Sequence, residues 1–454
     1  MNHSKKIINY QQKREIKKIK TGGVDSFYNL LAQDSIQKIM KQDLPNYRDR
    51  LYNPMQTLSM FLSQALDEDS SCQNIVNKKA LKTAKNISVT TGGYYRARQR
   101  LHVKMIKNIT KQTSKNCLVK VPKKWKFEGR DVYLVDGTTF TMPDTKENQK
   151  SYPQQASLPQ GLSFPICRAV GIISLYTGTI VDAAVSPYQG KGASEQVLLR
   201  SMLSNFKRGD VILADAFYST YYFLNYVLQN GIDVVLVQHG MRTKKTDFTK
   251  GYILGKKDHL IDIKKPPKRP EWMSQEKFDE LPKTLKIREL KRGGKILITT
   301  MLCKNRVSAT QIKNLYKQRW QIEVDFRNIK STLGLKYFSC KTPKMVIKEM
   351  WVYFLAYNLI RSIMLESAIY NKLLPRQLSF KHTVQILKNV PNQYDNQLYK
   401  KIFSLIGQKV IGNREGRIEP RAIKRRHNDF PLLMKHRDIV RKEIKQNGHP
   451  KKLK

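Results

Sequence analysis

The chain has 454 residues, enough for about three domains, and 40% of them are apolar, which rules out a disordered polycation. Lys and Arg number 84 against 36 Asp and Glu, a formal net charge of +48 that calls for a polyanionic partner, either nucleic acid or an anionic membrane surface. Five scattered cysteines (Cys72, Cys117, Cys167, Cys303 and Cys340) show no CxxC spacing and no clustered His, which argues against zinc or a disulfide framework and fits a reducing cytoplasm.

The N-terminal stretch MNHSKKIINYQQKREIKKIK has no apolar run of the kind a secretory signal needs. Basic residues are densest in the arm Lys5–Lys20 and in the tail beyond Arg414. From about Val24 to Lys120 the periodicity predicts helices, with LAQDSIQKIM and PMQTLSMFLSQAL as the clearest cases. TTGGYYRARQRLHVKMI reads as a turn and a basic helix. Arg96, Arg98 and Arg100 on it suit either a DNA groove or an ordinary solvated surface.

The texture changes at Gly129. RDVYLVDGTTFTM, CRAVGIISLYTG and TIVDAAVSPYQG are β-rich runs consistent with a three-stranded meander. An amphipathic helix (SEQVLLRSMLSNF), a buried strand (DVILADAFY), a Gly-capped helix (STYYFLNYVLQNG) and a further strand (IDVVLVQHG) follow. This βββαβαβ order implies a mixed sheet with helices on its faces. Short alternating runs near Met241–Arg306, around the loop KKPPKRPEWM, read as a small β insertion.

YKQRWQIEVDFRNIK, Tyr316 to Lys330, reads as one helix. At 100° per residue Tyr316, Arg319, Glu323 and Lys330 share an arc of roughly 60°, beside an apolar stripe of Leu315, Ile322, Phe326 and Ile329. A solvated face with Arg319 paired to Glu323 would give the same pattern. The next helix, MVIKEMWVYFLAYNLIRSIML, is interrupted by Lys348, Glu349 and Arg361, so it reads as a buried helix and not a membrane span.

Asp136 and Asp215 stand at the ends of apolar strands, where α/β sheets place their ligands. For a single strand-end Asp, capping the following turn or helix is the commoner fate. With Glu323 the two form an all-oxygen set suited to Mg²⁺, which is held by carboxylates and substrate phosphate. A pair of such ions can drive in-line phosphoryl transfer. Tyr316, Arg319 and Lys330 would then grip phosphates.

Tyr316-x2-Arg319-x3-Glu323-x6-Lys330 is similar to the YREK signature of the DDE transposases of bacterial insertion-sequence family four. DGTTFTMPDT (136–145), ADAFY (214–218), RWQIE (319–323), AYNLIR (356–361), TGGYYRARQRL (91–101) and SCQ (71–73) resemble that family too, in the right order, from about residue 50 to 365.

The resemblance implies an α/β fold: an RNase H-like mixed-sheet catalytic core with a β-rich insertion, a helical N-terminal DNA-binding domain and a helical basic C-terminal region. The corresponding division is 1–125, 126–240, 241–306, 307–372 and 373–454, the last a candidate for dimerisation. The resemblance also makes Asp136, Asp215 and Glu323 the catalytic and metal-binding triad for two Mg²⁺, with Mn²⁺ able to substitute. Tyr316, Arg319 and Lys330 map onto the residues that hold phosphates near the transposon end.

Family members cut both strands at the element's terminal inverted repeats, commonly through a hairpin, and join the 3′ ends to target DNA within a dimer. The implied setting is the bacterial cytoplasm, at the nucleoid, with no membrane partner. A base flipped on the hairpin route needs an aromatic platform. Trp272 in the insertion loop is the first candidate and Trp320 the second. An inactive relative that binds DNA without cutting, or a structural RNA-binding protein, would share the charge; the latter leaves the carboxylates unexplained.

Overall fold

The computed structural model describes residues 31–447 except 32–33, 45–50, 68, 82–87, 160, 191, 244–245, 293, 391–395 and 412–434. The basic arm Lys5–Lys20 and most of the tail beyond Arg414 therefore lie outside the described residues.

Helices come first, as the periodicity predicts: α1 (Asp34–Asp43), α2 (Pro54–Leu66), α3 (Cys72–Leu81), α4 (Gly92–Arg100) and α5 (Val103–Val119). Helix α2 starts with Pro54 at its first position and Asn53 capping the Gln56 amide. Helix α4 departs from the expectation of three outward arginines. Arg98 is buried, donating to Gln64 and to the Cys72 sulfur and lying over the Phe61 and Tyr94 rings, while Arg96 and Arg100 stay exposed. An alternating RxRxR run cannot keep all three on one helical face, because i and i+2 point about 200° apart.

The βββαβαβ order follows: β1 (Val132–Thr141), a short α6 (Lys146–Ser151), β2 (Ile166–Ser174), β3 (Ile180–Pro187), α7 (Glu195–Arg200), β4 (Val211–Ala214), α8 (Tyr221–Gln229) and β5 (Asp233–Val237). Strands β1, β2 and β3 pair antiparallel, whereas β1, β4 and β5 run parallel. A short α9 (Gly240–Thr243) leads into β6 (Tyr252–Gly255), β7 (Asp258–Lys264), α10 (Gln275–Asp279), β8 (Thr284–Arg292) and β9 (Lys295–Thr299). Strand β9 pairs antiparallel with β5, so the β-rich stretch extends the same sheet to nine strands in the order β3-β2-β1-β4-β5-β9-β8-β7-β6.

Alternation along β1 divides the core between the two faces of the sheet. Val132 and Leu134 join the cluster under the later helices, and Tyr133 and Val135 join the one under α7 and α8. The expected single helix from Tyr316 to Lys330 is instead α11 (Ala309–Lys317), a 3₁₀ turn (Gln318–Trp320), α12 (Gln321–Arg327) and a π-helical turn (Asn328–Thr332).

Helix α13 (Pro343–Tyr370) runs through the first cluster; it is long and apolar enough to cross a membrane, yet its most apolar window is 78% buried inside the protein. Its three interrupting charges are all used internally. Lys348 donates to the last carbonyls of α4, Glu349 accepts from the Ser339 and Cys340 amides, and Arg361 reaches Asp325. Asn358 satisfies both polar groups of Ile180 on β3 and the Thr110 carbonyl of α5. Helices α14 (Phe380–Lys388), α15 (Asn396–Gly407) and α16 (Arg437–Asn447) complete the described chain.

Candidate active site

Strands β1 and β4 pair from Val132↔Val211 as far as Leu134↔Leu213, while β1 stays paired with β2 out to Thr141. Between Leu134 and Thr141, which bridges Tyr337, the β4 side of β1 has no strand partner, and a crevice forms at the carboxyl ends of the parallel strands. Asp136 and Asp215 each lie two residues beyond the Leu134↔Leu213 pair, so alternation directs both to the face carrying α11 and α12. Both also make the local contacts that capping preferences anticipate. Asp136 Oδ1 accepts from the Gly137 amide at 2.9 Å, and Asp215 Oδ1 accepts from the Phe217 amide at 2.9 Å.

Helix α12 carries Glu323 to the same place. Ile322 and Phe326 are buried, and the Phe326 ring rests on Gly171, the residue paired with Asp136 on β2. A Cβ on Gly171 would lie 3.2 Å from that ring, so the glycine is what lets α12 settle against the sheet. Arg319 then stands between the two acids: Nη1 donates to Asp136 Oδ2 at 3.1 Å and Nη2 to Glu323 Oε1 at 2.5 Å. The i,i+4 pairing with Glu323 is present, and the same guanidinium spans to the strand. Arg319 therefore faces carboxylates here, where the sequence placed it as a phosphate clamp.

Burial is the main influence on Asp136 and pushes it up to about 6, with Asp215 and Glu195 adding to the rise and Arg319 and the Gly137 amide opposing it. Burial likewise pushes Tyr316 up to about 12, so its hydroxyl stays a neutral donor; Arg319 opposes the rise and Asp215 and Asp136 add to it. Lys330 sits on the π turn with its ammonium 4.9 Å from the Phe140 ring centre, and burial lowers its pKa. The π turn displaces it from the tight arc an ideal helix would give.

Glu195, missed by the sequence reading, also reaches the crevice. It is the first residue of α7, after the Ser194 cap, and its carboxylate lies against Gly137: a Cβ there would fall 2.2 Å from it. Tyr218 donates to Glu195 Oε2 at 3.2 Å. In sequence, a Glu after a Ser cap signals only a helix start. Four carboxylates thus surround the end of β1. Their all-oxygen chemistry suits a hard divalent cation, but among the described residues no three His, Cys, Asp or Glu side chains are grouped closely enough to hold one.

Trp272 and Trp320 are 50% and 55% exposed. Trp272 borders a cavity of about 630 Å³ between α7, α8 and the insertion loop, lined also by Tyr218, Tyr221, Tyr222 and Tyr226. The Arg200 guanidinium covers the indole at 3.6 Å from its ring centre, and Tyr222 meets it edge-on. Tyr218 is shared between this cavity and Glu195.

The chain matches the Transposase DDE domain family over residues 127–359, just over half of its length. It is 26% identical over 395 residues to the transposase InsG for insertion sequence element IS4 of Escherichia coli (strain K12), covering 84% of this chain and 87% of that one. A shorter stretch of 80 residues, 18% of this chain and 20% of the relative, is 31% identical to the transposase for insertion sequence element IS421 of Escherichia coli. Among solved structures, a cryo-EM structure of the piggyBac transposase synaptic complex with hairpin DNA is a distant likeness: 10% identity, TM-score 0.43, 95% of this chain and 86% of that one. The open strand ends with their facing acids and the family match lead to one assignment: the chain belongs to the DDE transposases, enzymes that cut and transfer DNA, and its likeness along most of its length is to the transposase of IS4.

Proposed function

We propose that the chain excises and inserts an insertion sequence by in-line phosphoryl transfer, with Asp136, Asp215 and Glu323 as the metal-holding triad of an RNase H-like core. The observation that carries this reading is the shared guanidinium: residues 187 positions apart, Asp136 and Glu323, meet on Arg319, with Asp215 beside them at the next strand end. The strand order β3-β2-β1-β4-β5, three antiparallel and then two parallel, supports the core assignment. So does the position of the β-rich stretch between β5 and α11, which favours 126–240 and 307–372 as two parts of one catalytic unit around an insertion at 241–306.

Two Mg²⁺ ions, when bound, supply activation of the attacking oxygen and stabilisation of the leaving oxygen. The chain's own residues do the rest. Asp136, Asp215 and Glu323 would supply the carboxylate oxygens that hold such ions. Arg319, which bridges Asp136 and Glu323, would be available to a scissile-strand phosphate through charge-assisted bonds if metal took up those carboxylates. Tyr316 donates a neutral hydroxyl hydrogen bond, and Lys330 adds a cation beside the β1 tip.

Terminal inverted repeats and target DNA are the substrates in this reading. A homodimer, with the 373–454 region contributing, holds two ends together in the cytoplasm at the nucleoid. Asp136→Ala, Asp215→Ala and Glu323→Ala are each expected to reduce Mg²⁺-dependent cleavage of cognate ends below detection while DNA binding persists in a mobility-shift assay. Native-rate cleavage by any one of them removes that residue from the triad.

On the hairpin route, Trp272 is the platform for the flipped base, with Trp320 as the second candidate. Its cavity is aromatic and adjoins the crevice through Tyr218. Trp272→Ala should cost about 1–3 kcal/mol of base stacking and slow hairpin formation more than first-strand nicking. Equal slowing of both steps, resolved on denaturing gels, would assign the tryptophan to general DNA contact.

A further inference from the structure

Asp325 lies two residues from Glu323 on α12, turned away from the crevice and fully buried. Its Oδ1 accepts three donors: the Tyr357 hydroxyl at 2.8 Å, Arg361 Nη2 at 2.7 Å and Arg376 Nη1 at 2.6 Å. Arg376 continues to the end of β2, donating to the Leu175 carbonyl at 2.8 Å and the Ser174 carbonyl at 3.1 Å. Strand β2 is registered on β1 with Gly171 opposite Asp136 and Ser174 opposite Tyr133. A closed circuit therefore runs from Glu323 through Asp325, Arg376 and β2 back to Asp136.

Such a circuit has little reason to exist for stability alone. Replacing buried ion networks by apolar packing is often neutral or stabilising, whereas a network fixes one geometry. Helix α12 needs that help. It has 7 residues, too few to be rigid by itself, and its hydrogen-bond ladder changes pitch on both sides, through the 3₁₀ turn before it and the π turn after it. Phe326 on Gly171 fixes how close the helix sits; it does not fix rotation about the helix axis.

We propose that Asp325, gripped by Arg361 and Arg376, is a positioning residue that sets the rotation of α12 and so holds the Glu323 carboxylate at the Asp136 strand end. Tyr357 and Arg361 give the AYNLIR motif its role: they form the socket for Asp325. The inference rests on Glu323 belonging to the catalytic triad.

The test uses full-length Arg376→Gln, Arg376→Lys and Asp325→Asn. Each is assayed for cleavage of cognate-end DNA across a Mg²⁺ series, for DNA affinity, for thermal unfolding, and for binding of Mn²⁺ alone by electron paramagnetic resonance. The expected result for Arg376→Gln is a loss of about 10- to 100-fold in cleavage rate and a weaker Mn²⁺ affinity, the range typical of groups that orient a metal ligand, with DNA affinity unchanged. Arg376→Lys should recover part of both. Cleavage that falls only in proportion to the unfolded fraction, with Mn²⁺ affinity and Mg²⁺ dependence unmoved, overturns the proposal. Arg376→Gln decides the matter if Asp325→Asn does not fold, since Arg376 lies at the more open end of the network. Glu323→Gln run in parallel separates the two layers: native-rate cleavage there sinks the triad assignment, whereas its loss together with unaltered Arg376→Gln sinks only the positioning role.

Discussion

Asp136 is held against its own solvation. Its carboxyl rises from an ordinary 3.8 to about 6, by burial first, and the neighbouring acids add to the rise that Arg319 opposes. Because the folded value lies above the unfolded one, proton binding favours the folded chain. That stabilisation is complete below about pH 3.8, fades as the pH climbs through about 6, and leaves the ionised acid as a cost at neutral pH. Asp136→Asn should therefore stabilise the metal-free protein at pH 8 by ~1–3 kcal/mol, since each tenfold change in proton affinity is worth about 1.4 kcal/mol, with the gain vanishing near pH 4. Thermal unfolding at the two pH values checks it; equal destabilisation at both would mean that the bond to Arg319 outweighs the desolvation. The choice of Arg319 as counter-ion was only half legible in the sequence. The i,i+4 spacing announced its bond to Glu323, but nothing local announces that β1 brings a second acid within reach.

The segment from Ala309 to Thr332 shows where element-scale reading holds and where it slips. Its apolar stripe was correctly placed: Leu315, Ile322, Phe326 and Ile329 are all buried. The uniform 100° wheel was not, because pitch changes at Gln318–Trp320 and at Asn328–Thr332, and phase errors accumulate along the chain. Docking depends on a residue with no side chain. Gly171→Val should force the Phe326 ring off β2, destabilise the fold by about 1–3 kcal/mol as an overpacked core does, and lower cleavage with it. Chemical denaturation and end-cleavage measured together check this; a stable variant with native cleavage would show that α12 tolerates the shift. Asp325 reads in sequence as one more polar residue on a charged helix, because its partners Arg361 and Arg376 come from elements 36 and 51 residues away.

At the scale of the molecule, the net charge of +48 has to be met by phosphate. DNA binding should weaken steeply with salt, the logarithm of the affinity falling linearly against that of salt with a slope of about −0.9 per neutralised phosphate. A flat response between about 50 and 200 mM salt in a binding titration would contradict a phosphate-dominated interface. The nine-stranded sheet is also a whole-molecule property. The short alternating runs of 241–306 were legible as strands, but their continuation of the β1–β5 sheet through β9 on β5 was not. Alternation specifies which face a strand buries and leaves open which edge it joins.

The sequence by itself determined the order of strands and helices, the strand-end aspartates, the spacing of the Tyr316–Lys330 signature and the charge that demands a polyanion. Each follows from a local period, a local composition or a short motif. Tertiary structure alone decided that Arg319 spans Asp136 and Glu323, that Glu195 leans on Gly137, that Arg98 turns inward and that Asp325 is gripped by two arginines. The physical reason is that a buried charge takes whichever partner the packed fold brings within hydrogen-bond range, and that choice is made by contacts far apart along the chain.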